Sequence, residues 1–209
     1  MAQMQSAGTV TAATLQPAFT SPLVRQTGFA IAGSVFVALC AHVSIPLLFT
    51  PVPLTMQNFA VLLLGLLMEP ATVFVSMTLY LIEGASGLPV FTPHGPGGIL
   101  QLLGPSGGFL LAYPFVAGLA SLLSRRIRPV SFTTLAFSGA IASALLYLCG
   151  AGWLATISHL SASATLKFAI LPFLPGDALK VAAAAALAIS FRKIGTRFAR
   201  NRTGVASAR

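Results

Sequence analysis

Acidic side chains are almost missing from this chain. Its 209 residues hold three Asp and Glu against twelve Lys and Arg, and charged residues of both signs make up 7%. A soluble domain is about 25% charged, and its surface helices need a polar face. Almost no stretch here supplies one, which excludes a compact soluble helical core. Other absences narrow the reading further. Cys40 and Cys149 each lie in an apolar run, read as small packing residues, and have no zinc spacing. His42, His94 and His159 share no metal-binding period, so no metal site is implied. The net charge of +9 comes largely from short basic runs beside apolar segments, Arg125 to Arg128 and Arg192 to Arg202. They lack the interleaved aromatics of an RNA-binding surface. Nucleic acid is thereby excluded as a partner, and the bilayer surface is favoured. The glycine-rich stretches Gly95 to Gly98 and Gly104 to Gly108 lack the strand and the closing Lys-Ser/Thr of a phosphate loop. No Ser-His-Asp arrangement selects a nucleophile. The sequence implies neither an enzyme nor a bound cofactor.

What is present is apolar: 56% of residues are hydrophobic, punctuated by 19 glycines and 14 prolines. Membrane helix bundles tolerate such punctuation better than soluble domains do. At about 20 residues per crossing, the runs predict six spans: Gly28 to Phe49, Pro53 to Met68, Pro70 to Ile82, Phe109 to Leu123, Thr133 to Gly152 and Gly176 to Phe191. Arg25, Arg125 to Arg128 and Arg192 to Arg202 then fall on one side, which the positive-inside rule makes cytoplasmic. The predicted fold is all-α, a polytopic membrane protein of six transmembrane helices with both termini cytoplasmic. Residues 1–24, without signal-peptide features, form a flexible cytoplasmic tail. Residues 25–192 form the transmembrane domain, and residues 193–209 a basic, disordered cytoplasmic tail. The turn from Thr50 to Pro53, the loop from Glu83 to Gly108 and the approach to Asp177 then gather at the outer mouth.

Asp177 and Lys180 are the most costly polar pair of the chain. They follow a Pro-Gly turn, share a helical face three residues apart, and place the anion in the first turn, where the helix dipole favours it. Ionisable groups at membrane depth mark functional sites by default; the other reading is a structural ion pair at a helix entry. Gln57 is the candidate ligand contact of VPLTMQNF, with Asn58 assigned to packing. Tyr80 and Glu83 lie on one face at the end of span three. Phe91 and His94 sit in the outer loop. Ala30, Ser34 and Ala38 recur every four residues in span one, a spacing that allows close helix approach, either within the bundle or on a partner.

The segments TPVPLTMQNFAVLLLG, LYLIEGASGLPVF, LLGPSGGF and LPFLPGDALK resemble the signature blocks of the BioY family, in the family's order from about Ile45 to Leu187. The resemblance implies a biotin transporter, the substrate-binding S component of an energy-coupling factor (ECF) system, binding biotin from the outer side of the cytoplasmic membrane. Its implied partners are a transmembrane coupling protein and ATPase subunits, and a homo-oligomer is a further possibility. The resemblance assigns Asp177 to the ureido ring and Lys180 to the valerate carboxylate, with Gln57, Tyr80, Glu83, Phe91 and His94 around them. It makes Ala30, Ser34 and Ala38 the docking face for the coupling protein. Two departures stand out: Met68-Glu69-Pro70 where the family has Leu-Gly and a basic residue, and Phe109 in a block where Tyr is more typical. The alternatives are an S component for another small vitamin, or a non-transport membrane assembly protein.

Overall fold

A computed structural model of the chain describes residues 21–206. The tail expected over residues 1–24 lies outside it up to residue 20; from Ser21 onward the chain is already helical or capping. Ser21 accepts the Val24 amide at 3.3 Å, and Pro22 occupies the first turn, where its missing N–H is not needed. Helix α1 runs from Pro22 to His42. It stops there because Pro46, Pro51 and Pro53 crowd the next segment. That segment folds back as a two-residue hairpin, β1 Ser44–Ile45 on β2 Leu54–Thr55, with Ser44 opposite Thr55.

Helices α2 (Gln57–Leu67) and α3 (Pro70–Ala85) follow, separated by the Met68-Glu69 turn. A long connection carries the short α4 (Gly98–Leu103). Then come α5 (Gly107–Arg126) and α6 (Phe132–Ile157), the latter opened by a reciprocal Ser131/Thr134 capping box. A short α7 (Ala162–Thr165) and a π-turn over Leu166–Ile170 lead into α8 (Leu174–Ala206). The basic segment beyond Phe191 therefore continues as helix to Ala206.

The expectation of six spans is overturned. Among the described residues four helices are long and apolar enough to cross a membrane: α1, α5, α6 and the Leu174–Ile194 part of α8. At 1.5 Å per residue, α2 and α3 reach only about 17 and 24 Å, against a hydrocarbon core of about 30 Å. The apolarity of α2 has another cause. Ala60, Val61 and Leu62 are wholly buried, and a helix apolar all round is a core helix; α3 buries Val73, Met77 and Tyr80 on one face and exposes Phe74, Val75 and Ile82 on the other. The fold remains all-α and membrane-spanning, with four long apolar helices in place of the six expected crossings.

Helix α5 is the centre of the bundle, packed on α6, α3 and α2. Of its apolar stretch 67% is buried, against 22% for the peripheral α1. Gly65 of α2 lets the two helices touch: a Cβ there would lie 2.8 Å from the Ala117 carbonyl oxygen. The basic residues gather at one end. Arg25 and Arg125 line a crevice with Glu69. Arg192 of α8 donates to the Leu66 carbonyl at the end of α2, and to the Ser124 hydroxyl (3.1 Å) and carbonyl (3.4 Å) at the end of α5. The hairpin and the start of α8 lie away from that end, beside the cavity described next.

Candidate ligand-binding site

The first turn of α8 is fixed before any ligand arrives. The Asp177 amide donates to the Phe173 carbonyl at 2.8 Å, so the carboxylate stands in the first turn among amides that favour an anion. Lys180, one turn on, donates to Asp177 Oδ1 at 2.8 Å. Tyr147 of α6 donates its hydroxyl to the other oxygen, Oδ2, at 2.5 Å. Asp177 is 7% exposed and Lys180 9%. Burying two charges is costly unless they are paired and hydrogen-bonded, and here both conditions are met.

This cluster forms one wall of a cavity of about 60 Å³. Leu54 and Thr55 of the hairpin, Gln57 and Asn58 of α2, Thr92 and Gln101 of the long connection, Phe109 and Tyr113 of α5, Leu146 and Tyr147 of α6, and Phe173 complete it. The glycine-rich run before α5 sets the position of that helix. Trp153 of α6 donates to the Gly104 carbonyl at 3.0 Å. A Cβ on Gly108 would fall 2.2 Å from the Trp153 Cβ, so only glycine permits this approach, which carries Phe109 and Tyr113 to the cavity.

The structure brings Asp177, Lys180 and Gln57 to one cavity and distributes the other sequence candidates elsewhere. The Gln57 amide is already engaged: its nitrogen donates to the Tyr80 hydroxyl, and its oxygen accepts from Thr55 Oγ1 at 3.2 Å. Tyr80 is wholly buried, donates to the Val90 carbonyl at 3.1 Å, and meets the Phe91 ring edge-on at 5.3 Å. Tyr80 and Phe91 thus brace the cavity from behind and do not line it. Glu83 points to α1, where Ser34 donates to it. His94 is exposed on the long connection. The small-residue stripe is occupied within the bundle: Ala30 and Ser34 are buried, and Ser76 of α3 donates to the Ala30 carbonyl at 2.8 Å. Ala38 is half-buried. Ala30 and Ser34 are thus covered by the bundle, whereas Ala38 keeps part of its surface.

Two residues were underrated by sequence reasoning. Asn58, assigned to packing, is 6% exposed and lines the cavity with both amide atoms unpaired. Tyr147 drew no notice. Its signal was a single phenol within the apolar run ALLYLCG, a group that needs a partner when buried, but nothing local tied it to an aspartate thirty positions on. Chemically, the cavity offers an acceptor beside a donor at Asp177/Lys180, a free amide at Asn58, and aromatic and aliphatic walls. That suits a small ligand with a compact polar head and an apolar body.

A model of the BioY family matches residues 7–197. Similar proteins include the probable biotin transporter BioY of Bacillus subtilis (strain 168), 39% identical over 142 residues, covering 68% of this chain and 75% of that protein. Another is the probable biotin transporter BioY of Pyrococcus horikoshii, 36% identical over 158 residues, covering 74% of this chain and 90% of that one. The fold is similar to the crystal structure of the S-component for biotin from an ECF-type ABC transporter, with a TM-score of 0.76 and 26% identity over 82% of this chain and 92% of that one.

Proposed function

The chain belongs to the BioY family, and on that premise we propose that its cavity holds biotin by the ureido ring at Asp177 and Lys180. The protein is a biotin-binding S-component of an ECF-type system, a membrane transport component and not an enzyme. The observation that supports the site is the buried cluster of Tyr147, Asp177 and Lys180, which places a hydrogen-bond acceptor 2.8 Å from a donor. A ureido edge carries the complement, an N–H beside a carbonyl oxygen. Asp177 retains lone pairs for the N–H, and Lys180 retains two protons for the oxygen. The valerate carboxylate lies at the opposite end of biotin, so Lys180 reaches it only if the pair parts; the contact favours the ring.

Phe109, Tyr113, Leu146 and Phe173 cover the apolar body. Ligand sites for small molecules enclose roughly 300–1,000 Å³, so biotin enters this narrower space by displacing its rim. The hairpin and the long connection form that rim, joined by a Thr92–Ser44 hydroxyl bond of 3.1 Å. The Arg25, Arg125 and Arg192 end faces the cytoplasm by the positive-inside rule, which turns the cavity outward across the inner membrane. Energy comes from a separate coupling protein and ATPases.

Equilibrium binding of tritiated biotin to the detergent-purified protein tests this reading. Removing one member of a buried ion pair costs about 3–5 kcal/mol by stranding the other, so the informative variant is the double one, Asp177→Asn with Lys180→Met. It is expected to fold and to lose tight binding. Wild-type affinity in that folded variant sinks the assignment.

A further inference from the structure

Asn58 is a buried carboxamide with no hydrogen-bond partner at either Oδ1 or Nδ2, and it faces the same cavity as Asp177 and Lys180. A position serving packing alone is better filled by an apolar side chain, because an unsatisfied buried amide opposes folding. Its neighbour Gln57 has both amide atoms engaged with Thr55 and Tyr80. The two adjacent amides are therefore divided in role: one holds the bundle, the other is free. Helix α2, which carries Asn58, packs on α8, which carries Asp177.

We propose that Asn58 is the specificity-determining residue that reads the second edge of the ureido ring. This rests on biotin being the ligand. A cyclic urea has two edges, each an N–H beside a lone pair of the shared oxygen. Asp177 and Lys180 present an acceptor and a donor to one. The Asn58 amide presents Oδ1 and Nδ2 to the other. With both edges read, every polar atom of the ring is met and neither amide atom of Asn58 is left unpaired. A site built this way rejects analogues that leave a buried group without its partner.

The test pairs a residue change with a ligand change. Tritiated biotin, and 2-thiobiotin in which sulfur replaces the ureido oxygen, are measured against wild type, Asn58→Ala and Asn58→Leu. Asn58→Ala is expected to weaken biotin about 10- to 100-fold and to narrow the preference for biotin over 2-thiobiotin. Equal weakening of both ligands, or none, overturns the proposal. Asn58→Leu, melted without ligand, is expected to match or exceed wild type, since it removes two unpaired polar atoms. A lower melting temperature marks Asn58 as structural and likewise overturns it. Failure of the wild type to bind biotin sinks the ligand reading itself, whereas wild-type binding with unaffected variants sinks only the role of Asn58.

Discussion

Two side chains at the cavity wall use their hydrogen bonds for opposite purposes. Tyr147 bonds Asp177 and so sets the direction of a cavity-lining carboxylate; Gln57 bonds Tyr80 and Thr55 and so ties α2 to α3 and the hairpin. Tyr147→Phe keeps the ring and removes one charge-assisted bond, worth about 1.5–3 kcal/mol. Biotin affinity is expected to fall about tenfold or more, and the melting temperature to fall as well because the bond is made without ligand, as read by equilibrium dialysis and thermal unfolding in detergent; undiminished affinity in the folded variant would exclude Tyr147 as a positioning group. Gln57→Leu acts on stability first. It strands the Thr55 hydroxyl and costs about 1–3 kcal/mol of stability, seen first as a lower melting temperature. The sequence made Asp177 and Lys180 legible because a charge in an apolar run has few explanations. It could not separate Gln57 from Asn58, since neighbours on a helix point about 100° apart and only packing decides which amide is left unpaired. Tyr80 and Glu83 misled for the same reason: a polar group near a site is as often a brace as a contact.

At the level of elements, run length and burial were confounded. An apolar segment satisfies a hydropathy reading whether lipid or protein surrounds it, and α2 is wrapped by α1, α5 and α8. The expected starts of spans four and five, Phe109 and Thr133, lie within two residues of the starts of α5 and α6. The hairpin after α1 was missed because the apolar run to Phe49 carried span one across Ser44–Ile45 and Thr50 to Pro53 was read as the turn into span two. Gly65→Ala tests the core role of α2. Its Cβ meets backbone of α5, which cannot yield as a side chain can, so overpacking of about 1–3 kcal/mol is expected; a melting temperature equal to wild type would contradict so close an approach. Arg192→Ala tests the other end. It frees the terminal carbonyls of α2 and α5 and is expected to cost about 1.5 kcal/mol, the low end for a charged donor because Arg192 is half-exposed. Biotin affinity measured in the same variant reports whether that end influences the site.

The whole molecule is polarised. Arg25, Arg125 and Arg192 mark one end, and the hairpin, His94 and Asp177 lie toward the other. The charge asymmetry was plain in the sequence, whereas the number of crossings was not, because a basic run reports a side of the membrane and nothing about how often the chain returned to it. Labelling with a membrane-impermeant maleimide checks the orientation in a background with Cys40 and Cys149 replaced by alanine. His94→Cys is expected to react in intact cells and Arg128→Cys only after permeabilisation; the reverse pattern inverts the protein. Helix α8 connects these two ends without a break. From Asp177 to Arg192 it extends about 22 Å, with the Asp177–Lys180 pair at the near end and the carbonyls of α2 and α5 gripped at the far one. A stiff rod held at both ends cannot be nudged at one alone. A ligand that displaced Asp177 would therefore also load the Arg192 contacts at the opposite end of the helix.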